Sequence, residues 1–378
     1  MNILEEIQNC SVEWKELGEV IEYEQPTKYI VSSKAYDDSD EIPVLTAGQS
    51  FILGYTNEKD GIYQASKSNP VIIFDDFTTS KQWVDFKFKV KSSAMKMLTI
   101  KDEFENEVLL RYVWHYLGTI TYKPDQHGRQ WIGTYSKFLI PILPLEIQEK
   151  IVQILDKFTD YVTELTSELT SRKKQYSYYR DKLLSFEDEV YQVEWKTLEE
   201  VAKFNYGYTD KAKETGDIRF IRITDIDENG YLKSNDKKYI SLTEESRNYL
   251  VRHGDLLMAR TGATYGKTLF IDTDEASAYA SFLIKITPSE KLNSRYYWHF
   301  SKSTLYWKQA NNLVSKAGQP QFNANSLKNI RIPVPSLEIQ SRIVQVLDNF
   351  DMVCNDLNIG LPKEIELRQK QYEYFREK

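Results

Sequence analysis

Residues 140–158 read IPILPLEIQEKIVQILDKF and residues 332–350 read IPVPSLEIQSRIVQVLDNF, with 12 identities over 19 positions at a constant offset of 192. A self-match of this quality marks a duplicated unit. Two more anchors flank it. VEWKELGEV at 12–20 returns as VEWKTLEEV at 193–201, offset 181, while Lys174-Gln175-Tyr176 and Tyr178-Tyr179-Arg180 return as Lys370-Gln371-Tyr372 and Tyr374-Phe375-Arg376, offset 196. The chain is therefore one unit written twice, a variable module followed by a helical tail: residues 1–137 and 138–190, then 191–329 and 330–378.

The tails carry a seven-residue period. Leu155, Val162, Leu169, Tyr176 and Leu183 fall seven apart, with Phe158, Leu165, Tyr179 and Phe186 on the companion line that Arg172 interrupts. That pattern predicts a coiled-coil seam. In the second copy Leu347, Phe350, Cys354, Leu357 and Leu361 begin the same heptads, but the offset grows from 192 to 196, a four-residue stutter. It falls at Gly360-Leu361-Pro362, where proline must kink or restart the helix. Two long helices on one chain pair most simply antiparallel, under pseudo-twofold symmetry. The module bodies hardly resemble each other, yet both read as mixed strand and loop: PVIIF at 70–74 and WVDFKFKV at 83–90 in the first, IRFIRI at 218–223, DLLMAR at 255–260 and FLIKI at 282–286 in the second, with helix over 293–310. The expected fold is α+β, two globular domains separated by long antiparallel coiled-coil helices.

Composition narrows the function. With 378 residues, 41% hydrophobic and 28% charged, the chain is long enough for two cores and is neither disordered nor collagen-like. Phe138 to Leu145, the longest apolar stretch, is cut by Pro141 and Pro144 and is far short of a membrane span. The start, MNILEEIQNC, has no basic residue before its apolar positions, so a cytoplasmic protein is expected. Cys10 and Cys354 stand outside any metal-ligand spacing and read as small buried residues. Neither metal nor other cofactor is expected. The net charge of −7 divides as −6 over residues 1–137, −3 over 138–190, +3 over 191–329 and −1 over 330–378, so no segment is a basic block.

On this plan the chain resembles a type I restriction-modification specificity subunit. The likeness rests on the LPLEIQ-led and SLEIQ-led spacers, on VLTAGQSFILGYT, NPVIIFDDFTTSKQWVDFKFKVKSSAMK and GRQWIG in the first module, and on GDLLMARTGATYGK and GQPQFNANSLKNIRIPVPSLEIQ in the second. It implies that 1–137 and 191–329 are target-recognition domains, each reading one half of a bipartite double-stranded DNA site. It also implies that the helices fix the spacing and dock two adenine methyltransferase subunits, with restriction-translocase subunits joining the complex. The chain itself is then not an enzyme. Base readers must be side chains able to pair with base edges from polar loops. The candidates are Gln49, Lys81, Gln82, Gln126, Arg129 and Gln130 in the first module, and Arg260, Thr261, Lys267, Lys316, Gln319 and Gln321 in the second. Arg129 and Gln321 align at offset 192. Subunit docking is expected of Ile147, Gln148 and Ile151 and of their counterparts Ile339, Gln340 and Ile343.

Rival chemistries fail on spacing. GATYGKT at 262–268 is one residue too tight for a phosphate-binding GxxxxGK[ST] loop. Glu13/Lys15 and Glu194/Lys196 resemble half a nuclease motif, but they recur with the duplicated anchor. His115, His127, His253 and His299 are scattered, without an acid at useful sequence spacing, and read as core or surface histidines. The alternatives are a restriction-methylation enzyme whose catalytic part lies outside this chain, and a scaffold whose modules bind something other than DNA.

Overall fold

The computed structural model describes residues 3–33, 35–46, 50–124, 128–187, 193–315 and 320–378. By packing the chain forms two units: Met1–Thr163 with Glu366–Lys378, and Glu164–Ile365. Among the described residues no helix is long and apolar enough to cross a membrane.

Unit 1 contains α1 (Ile3–Asn9), β1 (Glu13–Glu16), α2 (Leu17–Val20), β2 (Ile21–Glu24), β3 (Ile42–Leu45), β4 (Ile52–Thr56), β5 (Val71–Asp75), β6 (Lys81–Val84), β7 (Lys89–Val90), β8 (Met95–Ile100), α3 (Leu110–Leu117), β9 (Leu139–Ile142) and the first part of α4 (Leu145–Ser185). Its main sheet is antiparallel in the order β2-β8-β5-β6, a second has the order β4-β3-β7 with β3 parallel to β7, and β1 pairs with β9. The run at 83–90 is not one strand: it stops at Val84 and resumes at Lys89, whose buried ammonium pairs with Glu58 at 3.0 Å.

Unit 2 repeats this plan with other residues. Its elements are β10 (Glu194–Thr197), α5 (Leu198–Val201), β11 (Ala202–Tyr206), β12 (Ile218–Ile221), β13 (Tyr239–Ile240), β14 (Leu250–Val251), β15 (Leu256–Ala259), β16 (Thr268–Phe270), β17 (Ser277–Tyr279), β18 (Leu283–Pro288), α6 (Ser294–Phe300), α7 (Thr304–Leu313), α8 (Ala324–Lys328), β19 (Arg331–Val334), α9 (Leu337–Asn355) and the start of α10 (Leu361–Glu377). The main sheet runs β11-β18-β15-β16, the same order as in unit 1, and the second sheet again holds one parallel pair, β12 with β17. The expected helix over 293–310 is two helices. Ser303 ends the first segment by capping the next, its hydroxyl accepting from Tyr306 N–H at 3.1 Å.

The duplicated anchor explains itself locally. Glu19 and Glu200 reach back to accept from the backbone N–H of Glu16 and Thr197 at 2.8 and 2.7 Å, starting α2 and α5, and the Glu-x-Lys pairs lie on β1 and β10 as exposed ion pairs. Helix α4 runs unbroken for 41 residues, about 60 Å at 1.5 Å per residue. The stutter behaves as expected, since α9 ends at Asn355 and α10 begins at Leu361. Gly360 sits where a Cβ would come within 2.6 Å of the Asp356 and Met352 carbonyls. Pro362 occupies the first turn of α10, where its missing N–H has no helical acceptor to lose.

The helices pair antiparallel inside each unit. In unit 1 Phe158 stacks on Phe375 at 5.4 Å and Arg368 lies over Tyr161 at 6.0 Å. In unit 2 Tyr176 and Tyr179 stack on Phe350, and Cys354, one turn further, feels the charges of Lys173 and Arg172. Cys354 is buried as expected, whereas Cys10 is half-buried and donates to the Ile7 carbonyl.

Two sets of polar groups hold each module to its helices. At the helix start, Gln148 is fully buried; its Oε1 accepts from Leu109 N–H at 3.0 Å and its Nε2 donates to the Glu107 and Leu143 carbonyls. Gln340 copies this with Asn293 N–H and the Lys291 and Pro335 carbonyls. One turn and more along, His115 Nε2 meets Asp156 at 2.8 Å and its Nδ1 meets Tyr372 at 3.1 Å, while Arg111 Nε donates to Asp156 at 2.7 Å. His299, Asp348, Tyr176 and Arg295 form the same latch at 2.8, 3.0 and 2.7 Å. The histidines thus have acid partners, supplied by tertiary packing. The readable signal was RYVWHY at 111–116 against RYYWHF at 295–300, a repeat at offset 184.

The glutamine staple is open to a direct test. Gln340→Leu strands one buried N–H and two carbonyls, each costing about 1–3 kcal/mol. The variant should lose at least about 2 kcal/mol of unfolding free energy in urea; an unchanged midpoint would show that the staple carries no stability.

The latch predicts a pH signature. Burial pushes His299 down to about 4, against the opposing pull of Asp348. The unfolded chain therefore takes up this proton near pH 6.5 and the folded chain only near 4, so the contribution of the neutral imidazole is complete above 6.5 and lost as pH falls through that window. Asp351, pushed up to about 7 by burial, has the opposite sign over the same range. The difference in stability between the parent and His299→Gln isolates the imidazole: it should shrink from pH 7 to 4.5, and a constant difference would refute the assignment.

Candidate nucleic-acid interface

In unit 2 the loop between β15 and β16 and the segment before α8 are sewn together through the backbone. Phe322 N–H donates to Arg260 O at 2.8 Å, Gly262 N–H donates to Pro320 O at 3.2 Å, and Thr261 bridges Gln321. Gly262 and Gly266 take φ of +73° and +79°, the left-handed turns that fold the loop back. Arg260, Thr261 and Gln321 are thereby brought to one place. Arg260 Nε donates to Ser281 O at 3.0 Å, and its guanidinium lies over the rings of Tyr206 and Phe282 at 5.3 and 5.4 Å. Those rings are 46% and 51% exposed. The result is a cation fixed on an aromatic platform, with its remaining N–H groups available to an acceptor.

The other candidates in this module separate. Thr261 is only 3% exposed and serves the bridge, so its hydroxyl is not presented as expected. Lys267 closes the loop and lines, with Lys173, Arg180 and Lys302, a cavity of about 340 Å³. Lys316 and Gln319 lie outside the described residues.

Unit 1 uses the equivalent loop with opposite charge. Gln130 N–H donates to Asp76 O at 2.8 Å, the same bond as Phe322 to Arg260, so Asp76 stands where Arg260 stands. The Asp76 carboxylate, fully buried, accepts from Trp131 N–H at 2.8 Å and faces Lys96 at 3.5 Å and Arg129 at 3.8 Å. Arg129 is 45% exposed, and Phe77 and Ile132 of the same module are exposed as well. Gln82 is exposed on the edge strand β6.

Two first-module candidates are corrected. Gln130 is buried, its amide donating to Gly128 O and accepting from Tyr122 OH, so it shapes the loop. Lys81 turns inward over the Trp114 ring at 4.5 Å, because the edge strand alternates faces and its neighbour Gln82 takes the outer one. Gln49 and Gln126 lie outside the described residues.

The docking set is also turned inward. Gln148 and Gln340 are the buried staples above, Ile147 and Ile343 are buried, and Ile151 and Ile339 pack half-buried on the same cores. Their duplication reflects the module's own packing. Among the polar residues that α9 and the turn after it present outward, such as Glu338 and Arg342, stand large apolar ones: Leu337, Val346, Met352, Leu357 and Ile359 are all more than 40% exposed. Sequence reasoning also missed Tyr206 and Phe282, since nothing but tertiary contact sets an aromatic beside Arg260.

Comparison with known proteins agrees with this architecture. The family model described as "Type I restriction modification DNA specificity domain" matches residues 11–172 and again 192–367. The EcoR124I/EcoR124II specificity subunit of Escherichia coli is 44% identical over this whole chain and 96% of its own length. A putative type I restriction enzyme specificity subunit of Haemophilus influenzae is 30% identical over 98% of this chain and 96% of its own. Among solved structures, the type I restriction-modification S subunit from M. genitalium superposes with a TM-score of 0.64 at 13% identity, covering 98% of this chain and 96% of that one, which shows the shared fold. With the same DNA-specificity model matching both copies of a duplicated α+β plan, the chain belongs to the specificity subunits of type I restriction-modification systems.

Proposed function

We propose that residues 1–137 and 191–329 each read one half of a split DNA site from the major groove, and that the helical segments 138–190 and 330–378 set the interval between the halves. Two methyltransferase subunits dock on the helices and supply the chemistry, restriction-translocase subunits complete the assembly, and the complex works in the cytoplasm, where its DNA is. The observation that carries this reading is Arg260, held by Ser281 O and framed by two exposed rings. A guanidinium with free N–H groups at the tip of a loop suits bidentate pairing with guanine O6 and N7, and the flanking rings suit thymine methyls. In the first module Arg129 and Gln82 are the exposed candidates, while Gln321, Lys267, Lys316 and Gln319 extend the second. The apolar surface at Val346, Met352 and Leu357 is the docking face that fits a methyltransferase. A chain of net charge −7 has little to offer phosphates, so the partners must supply much of the sequence-independent attraction.

Methylome sequencing of the assembled enzyme tests the reading. Arg260→Ala should relax or abolish recognition at one position of one half-site, a loss of about 1–3 kcal/mol against the wrong base, and leave the other half-site intact. A uniform fall in methylation at an unchanged sequence would mean that Arg260 holds a phosphate.

The interval is tested separately. Duplicating Thr166-Ser167-Glu168-Leu169 lengthens α4 by about 6 Å and turns its end by about 40°. One base pair advances about 3.4 Å and turns about 34°. The variant should methylate the same half-sites with one or two more unspecified base pairs between them; an active enzyme with an unchanged interval would show that the helices do not measure it.

A further inference from the structure

On their long helices the two latches differ by one carboxylate, and in unit 2 Asp227 also acts on Lys302. In unit 2 the cations Arg295, Lys302 and Arg180 gather beside two acids of α9: Asp348, bonded to Arg295 and His299, and Asp351, which lies 3.6 Å from Arg295 and 3.3 Å from Lys302. At offset 192, Asp348 corresponds to Asp156 but Asp351 corresponds to Thr159, whose hydroxyl merely donates to the Leu155 carbonyl of its own helix. The cations are not thinned to match. Arg111 and Arg376 repeat Arg295 and Arg180, and a third cation arrives by another route. Lys302 has Gly118 as its counterpart at offset 184, yet Lys81 comes in from β6 and takes the same seat, over Trp114, that Lys302 takes over Trp298.

Among the described residues, three cations and a histidine in unit 1 therefore share the one helix carboxylate of Asp156. Lys81 Nζ and Arg376 Nε are buried and make no hydrogen bond among the described residues. Glu377, an exposed side chain, lies 3.9 Å from Arg376. A Cβ built on Gly118 would lie 3.0 Å from Lys81 Nζ, 3.1 Å from Arg376 Nη1 and 3.1 Å from His115 O, so the two cationic groups close on the same glycine and are no more than about 6 Å apart. Like charges at that distance in a half-buried site repel unless an anion joins them. On the Arg376 side only, Arg376, His115 and Thr119 line an open cavity of about 490 Å³.

We propose that Lys81 and Arg376 form an anion site in the first unit, filled by a phosphate-sized oxyanion that stands where the second unit has the Asp351 carboxylate. The planar fork of arginine with the point charge of lysine suits a tetrahedral oxyanion better than a halide. Burial first, then Arg376 and Arg111, push the Lys81 ammonium well below the ordinary lysine range. The anion can come from inorganic phosphate or from a phosphodiester of the DNA backbone.

The test uses the full chain and inorganic phosphate, titrated from 0 to about 10 mM against chloride at equal ionic strength, with the thermal midpoint as readout. Binding to the folded state should raise the midpoint of the parent saturably, by about 2–4 °C. Thr159→Asp, which restores the absent carboxylate, should melt higher than the parent without phosphate and lose the saturable response. Lys81→Met, which removes the site without adding charge, should lose it as well. A short duplex lacking the recognition sequence distinguishes the sources: a phosphodiester occupant abolishes the phosphate response, and a free-ion occupant leaves it in place. A response that is linear, or equal in the parent and both variants, would overturn the proposal.

Discussion

A neutral imidazole bridging a carboxylate and a phenol holds each module to its helices. His115 and His299 are buried among aromatic side chains and pushed down in pKa chiefly by that burial, so at neutral pH they bond without charge. The carboxylates they meet remain ionised. Burial works against Asp156 and Asp348, yet the bonds from the histidine and the arginine keep both below the usual carboxylate range. A half-buried acid with partners on two sides fixes both at once, and removing either leaves a partly desolvated charge. The phenols come from the far copy of the repeat, Tyr176 closing the unit of residues 164–365 and Tyr372 the unit that begins at Met1. Neither unit is complete without a segment distant in sequence.

Because the frame is held this way, the reading loops are free to differ. Both main sheets have the same strand order, and both receive the following segment by one backbone bond, to Asp76 O or to Arg260 O. A backbone bond constrains position without constraining side chain. One unit thus places a buried acid at this point and the other a cation on an aromatic platform, with no change in topology. A specificity subunit needs that separation, since its frame must fit fixed partners while its loops answer to different bases.

Much of this was legible in the residues. The offsets 192, 181 and 196 gave the duplication, the heptads gave antiparallel helices, and Gly360-Leu361-Pro362 marked the break between α9 and α10. Arg260, Thr261 and Gln321 read from the sequence only as separate loop candidates of the second module, and the bridge from Thr261 to Gln321 brings their segments together. The misses share one cause. Gln148, Gln340, Gln130 and Lys81 carry chemistry that suits a surface, and each is spent inside the protein on backbone groups or a ring. A polar side chain has the same formula whether it faces solvent or a buried carbonyl.

The repeat, the α+β modules, the helical period and, through resemblance, the class of protein are all readable from the residues in order. These rest on local pattern and on self-similarity, which a chain carries along its length. Tertiary structure alone decided that His115 and His299 have acid partners, that Tyr206 and Phe282 frame Arg260, and that Lys81 occupies the seat of Lys302. Each depends on groups tens to hundreds of residues apart meeting at hydrogen-bond or ring-contact distance, and burial then decides which polar side chains remain available to a ligand.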